Sequence, residues 1–131
     1  MDYIDYVIEY GKKLENIKSK CNSIDAFVRR AEEFPSLVAQ EGLVPALTFY
    51  YSKAEGKASS LDSASCEEFR NEGKGYSVYL MFIIDVLSKF NNIKCNDSLD
   101  CIRETRKNEL IITRKLLPIL IEMKKVANIV G

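Results

Sequence analysis

Residues 76–90, YSVYLMFIIDVLSKF, carry eleven apolar side chains in fifteen positions. At about 100° per residue, Ser77, Asp85, Ser88 and Lys89 fall on one narrow strip, and apolar groups cover the rest of the circumference. A helix of this kind needs several packing neighbours, so the remaining chain is expected to wrap around it. Contact with another copy or subunit is the alternative for part of that surface. The chain has 131 residues, 47% of them hydrophobic and 29% charged. That is enough for one modest core without disulfide support, and residues 1–131 are expected to form a single domain. No apolar run approaches the ~18–20 residues of a membrane span. The opening MDYIDYVIEY is acidic where a secretory signal is basic. A cytoplasmic protein without a membrane partner is expected.

Helical spacing recurs elsewhere. Ile4, Val7, Ile8, Gly11 and Leu14 share one face of a helix over about 2–20. Ser23 is a suitable N-cap for a second helix carrying Ile24, Phe27, Val28, Ala31 and Phe34 on one side. Pro35 should end or kink it. Gly42 then suits a helix stop and Pro45 the first turn of the next helix, which runs to about Ala54. Residues 56–75 are Ser- and Gly-rich and read as a mobile loop, with a short helical turn near 66–71 and the central helix beginning at Tyr76. A last helix is expected from Leu99 to about Asn128, bent at Pro118. The fold class is all-α, a compact bundle of about five helices with a kink at Pro35.

Net charge is zero, with 19 basic and 19 acidic side chains and no histidine. Its distribution is uneven: residues 103–131 hold seven basic and three acidic groups. On one helical wheel Arg103, Arg106, Lys107, Arg114, Lys124 and Lys125 lie within about 100°, opposite Ile112, Leu116, Ile119 and Met123. A straight helix would carry them as a basic ridge tens of ångströms long, at about 1.5 Å per residue. Leu110, Leu117 and Ile121 fall on the same side and suggest that this face also meets protein.

Catalytic chemistry finds little support. Without histidine there is no Ser-His or Cys-His pair and no group titrating naturally near neutrality. Gly73 and Gly75 flank Lys74 without phosphate-loop spacing. The neighbours Glu32–Glu33 and Glu67–Glu68 diverge by about 100° on a helix instead of converging on a metal. Cys21, Cys66, Cys95 and Cys101 have no zinc-site spacing. They are expected as free buried thiols, with a local Cys95–Cys101 disulfide as the alternative. A helix-turn-helix DNA reader is disfavoured, because residues 43–51 offer Thr48 and little else to read base edges. No enzyme, cofactor, metal or small-molecule substrate is expected.

The most distinctive stretch is residues 34–53, FPSLVAQEGLVPALTFYYSK. A Pro-Ser-hydrophobic turn (Pro35, Ser36) leads to Gly42-Leu43, then to a Leu-x-Phe helix (Leu47, Phe49) ending in Ser52-Lys53. This closely resembles the small helical subunit of the type III-B (Cmr) CRISPR RNA-targeting complex. Along the rest of the chain the order of elements agrees: a long first helix, a variable loop, a Tyr-led hydrophobic helix and a basic final helix. The Cys-containing loop and the terminal LLPILIEMKK, where that family more often carries aromatics, depart from it. The type III-A small subunit is the nearest competitor.

The resemblance implies a non-catalytic subunit of a ribonucleoprotein in antiviral defence. Its expected partners are other effector subunits, copies of itself, and guide and target RNA. Because guide and target vary without limit, such a subunit should hold phosphates and leave sequence reading to base pairing. The expected RNA-binding residues are Arg103, Arg106, Lys107 and Arg114, with Lys53 as an additional contact. A helical adaptor with no nucleic-acid contact is the competing reading.

Overall fold

The computed structural model describes residues 2–55 and 64–131, and the regular structure within them is all helical. Six α-helices occur in order: α1 (Tyr3–Cys21), α2 (Asp25–Glu41), α3 (Leu43–Lys53), α4 (Glu72–Asn91), α5 (Ser98–Lys107) and α6 (Glu109–Val130). A 3-10 turn, Cys66–Phe69, precedes α4. Residues 56–63 of the expected mobile loop lie outside the described residues.

As its composition requires, α4 is the centre. It packs against α2, α3, α6 and the 3-10 turn. Val78, Tyr79, Phe82, Ile83, Val86 and Leu87 on it are all fully buried. Phe27 and Phe34 of α2 and Tyr50 of α3 complete an aromatic cluster. Ring centroids are 5.4 Å apart for Phe27–Tyr79, 4.7 Å for Phe34–Tyr50 and 5.7 Å for Tyr79–Phe82. Each such pair contributes about 0.5–1.5 kcal/mol beyond the area it buries. The expected polar strip of α4 is mostly put to use. Ser77 is buried and donates to the Glu55 carbonyl at 2.8 Å, and Asp85 accepts from the Tyr6 hydroxyl.

Tyrosine hydroxyls are therefore enclosed. Burial, then the bond to Asp85, pushes the Tyr6 hydroxyl far above its ordinary pKa. Burial and the 2.7 Å bond to Glu33 do the same for Tyr50. Tyr79 is raised by burial and by nearby Tyr10.

Four expectations need correction. First, α4 opens at Glu72, not Tyr76, with the Asn71 side chain accepting from the Lys74 N–H at 3.1 Å. Gly75 is helical, and a Cβ there would lie 2.7 Å from Ala26 Cβ. Its glycine serves the close approach of α4 to α2 and not a loop. Second, α2 does not end at Pro35 but continues to Glu41. Third, the expected last helix is two helices, parted at Asn108, whose φ of −138° and ψ of 43° are not helical. Among the described residues the bundle thus has six helices instead of about five.

Fourth, the cysteines are paired: Cys21 with Cys66 and Cys95 with Cys101, at Cα–Cα distances of 5.2 and 4.4 Å. The 3-10 turn brings Cys66 to the end of α1. There Phe69 is buried and Arg70 Nη2 donates to the Cys21 carbonyl at 2.7 Å.

The turn at Gly42 follows its residues. Gly42 has φ of 97°, and its N–H bonds the Val38 carbonyl at 2.9 Å to close α2. Glycine cannot cap α3, and the cap comes from elsewhere: Glu109 at the start of α6 accepts from the Val44 N–H at 2.8 Å. A carboxylate there satisfies an orphan donor and meets the positive end of the helix dipole.

Candidate nucleic-acid interface

Short as it is, α5 has one clear inside. Cys101 and Thr105, four residues apart, are its only fully buried side chains. Arg103, Arg106 and Lys107 lie within about 100° of one another on the opposite, exposed side. The helix is fixed at its start by the Cys95–Cys101 bond and by Asp97, whose Oδ1 accepts from the Asp100 N–H at 2.8 Å. It contacts α3 and α6. The structure thus brings three of the five expected residues together on a helix of ten residues, about 15 Å long.

Two of those cations already have partners. Arg103 meets Asp100 at 2.5 Å, and Lys107 meets Glu104 at 2.9 Å. Arg103, followed by the Asn96 N–H, holds the Asp100 carboxyl below its ordinary range. Both pairs are i,i+3 pairs at the surface, where solvent and salt screen the attraction. A phosphate competes with them at little cost. Arg106 has no partner among the described residues, and three cations face two carboxylates on this helix.

The remaining expected residues are elsewhere. Lys53 ends α3, with its ammonium 5.7 Å over the Phe49 ring. It lies at the opposite end of that helix from the Val44–Glu109 contact. Arg114 sits on α6 beyond the break at Asn108, so the expected continuous ridge does not exist. It borders a shallow groove of about 460 Å³ lined also by Asp2, Tyr3, Phe90, Lys115, Pro118 and Ile119. Lys125 is paired with Glu122 at 3.1 Å, while Lys124 has no partner among the described residues.

Sequence reasoning missed Lys115, Tyr3 and Phe90 as neighbours of Arg114. The helical wheel places Lys115 off the basic arc, and the two aromatics reach the groove only through the packing of α1 and α4 on α6. Exposed apolar groups flank the basic helices: Leu99 is 76% exposed, Leu110 66% and Ile111 55%. Among the described residues no group of His, Cys, Asp and Glu is placed to hold a metal. Nor is any of their helices long and apolar enough to cross a membrane.

Fold and surface define a small all-helical protein with a basic face on one short helix and no strand among the described residues. The sequence model of the family described as CRISPR-associated protein (Cas_Cmr5) matches residues 8–130, and the chain belongs to that family. This bears out the resemblance carried by residues 35–53 and makes the chain a CRISPR-associated subunit. No curated protein and no solved structure matches it.

Proposed function

We propose that the chain is a non-catalytic, cytoplasmic, single-domain subunit of a type III-B CRISPR ribonucleoprotein. It stacks with other effector subunits and copies of itself, and it holds guide and target RNA through backbone phosphates. Arg103, Arg106 and Lys107 on the exposed side of α5 supply the positive field, with Arg114 and Lys53 as separate outer contacts. The observation that carries the reading is the α5 face: three cations share it, and among the described residues their competitors are weak local carboxylates. Cations arranged this way read no bases, which suits a channel for RNA of unlimited sequence.

Zero-length crosslinking of RNA in the assembled complex tests the reading. The account expects the crosslinked peptide to contain residues 98–107. A complex that assembles and retains RNA with no crosslink in this protein would overturn it. That result would favour the second reading, a protein-protein adaptor, which draws on the exposed Leu99, Leu110 and Ile111.

A further inference from the structure

The groove beside Arg114 has a chemistry different from the α5 face. Its walls come from three helices: Asp2 and Tyr3 at the start of α1, Phe90 at the end of α4, and Arg114, Lys115, Pro118 and Ile119 on α6. Tyr3 and Phe90 are half-buried. The Phe90 ring is fixed by an edge-on contact with Tyr6, 5.4 Å between centroids. Arg114 and Lys115 are exposed and have no partner among the described residues. Being adjacent on a helix they diverge by about 100°, so they stand on either side of Pro118, one turn further on.

Asp2 is the one anionic group in the groove, and its Oδ1 is engaged as the cap of α1, accepting from the Ile4 N–H at 3.0 Å. Aromatic surface and two cations without partners among the described residues are groups that an unpaired nucleotide needs. The base takes the ring and the phosphate the cations. The volume suits a small ligand, within the usual range of about 300–1,000 Å³.

We propose that the groove between α1, α4 and α6 is a subsite for one unpaired nucleotide of single-stranded RNA, stacked on Tyr3 and Phe90 with its phosphate held by Arg114 and Lys115. The proposal rests on the RNA-channel reading and deepens it: α5 holds backbone irrespective of pairing, and the groove selects a nucleotide that is out of the duplex.

Amide chemical-shift mapping of the full chain with a short single-stranded RNA tests this, with the equivalent RNA duplex and inorganic phosphate as separate titrants. Shifts centred on residues 3, 90–92 and 114–119 with the single strand, and far smaller ones with the duplex, are expected. In the assembled complex, Tyr3→Ala should weaken single-strand binding about tenfold, while Tyr3→Phe, which keeps the ring, should restore it. Equal shifts with duplex or phosphate, or equal binding by Tyr3→Ala and Tyr3→Phe, would overturn the subsite. If those results accompany a loss of RNA binding in a variant with Arg103, Arg106 and Lys107 all changed to Glu, only the subsite fails. If that variant also binds normally, the RNA reading fails with it.

Discussion

The helices α4 and α5 are held in opposite ways. α4 is enclosed by α2, α3, α6, the aromatic side chains of α1 and the 3-10 turn, and its place follows from hydrophobic burial. α5 buries only Cys101 and Thr105, and is held at its start by a disulfide and an Asp97 cap. An element that contributes little to the core is free to spend its surface on a partner. Substitutions in α4 should therefore change stability and leave RNA binding per folded molecule intact, while substitutions on α5 should do the reverse.

The largest effect tests the α4 side. Phe82→Ala removes a fully buried ring in contact with Tyr10 and Tyr79, and should cost about 3–5 kcal/mol in urea unfolding. A loss below about 1 kcal/mol would mean that α4 is not the centre of the core.

Alkaline pH strikes the same region. The folded pKa values of Tyr6, Tyr50 and Tyr79 are raised, so their stabilising contribution is complete below the ordinary tyrosine value near 10. Above it the unfolded chain loses those protons while the folded chain keeps them, and stability falls by about 1.4 kcal/mol per pH unit for each group. Tyrosinate absorbance should show these hydroxyls titrating only with unfolding. Titration of all tyrosines near pH 10 in the folded protein would contradict their enclosure.

Removing the disulfide at α5 is the next step down. Cys95→Ser with Cys101→Ser opens a short loop and should cost about 2 kcal/mol by loop entropy. Faster amide exchange should be confined to residues 92–107, with α4 protection unchanged. Loss of protection in both helices together would erase the contrast.

A smaller effect is expected where the start of α6 caps α3. Glu109→Ala removes the acceptor for the Val44 N–H and should cost about 1 kcal/mol, measurable by thermal unfolding, with exchange rising at residues 43–46.

Smallest in stability is Arg106→Ala, within about 0.5 kcal/mol of the parent. On the same helix, Asp100 offers a charge change in the other direction. The Arg103–Asp100 pair is present above the ordinary carboxylate pKa and is lost as pH falls through the lower folded value. Asp100→Asn should leave stability nearly unchanged and tighten RNA binding by releasing Arg103.

What the sequence made legible follows the same contrast. The centrality of α4, the face of α1 and the turn at Gly42 were readable, because burial and chain reversal leave periodic or residue-specific marks. Arg103, Arg106 and Lys107 were readable as one face because they lie within five residues of each other. Their separation from Arg114 was not: Cys101, Thr105 and Ile112 keep one helical phase straight through Asn108. The start of α4 was hidden by Gly75, whose packing against Ala26 looks like loop composition until α2 is in place. The Cys21–Cys66 bond joins residues 45 apart, and the groove needs three helices assembled before Tyr3 and Phe90 approach Arg114.

The salt dependence of RNA binding by the assembled complex tests the central claim most directly. Each lost phosphate contact lowers the slope of log affinity against log salt by about 0.7–0.9. With Arg103, Arg106 and Lys107 all changed to Glu, the account predicts weaker binding and a slope reduced by about two or more. An affinity and slope equal to those of the parent, in a complex of unchanged composition, would contradict it.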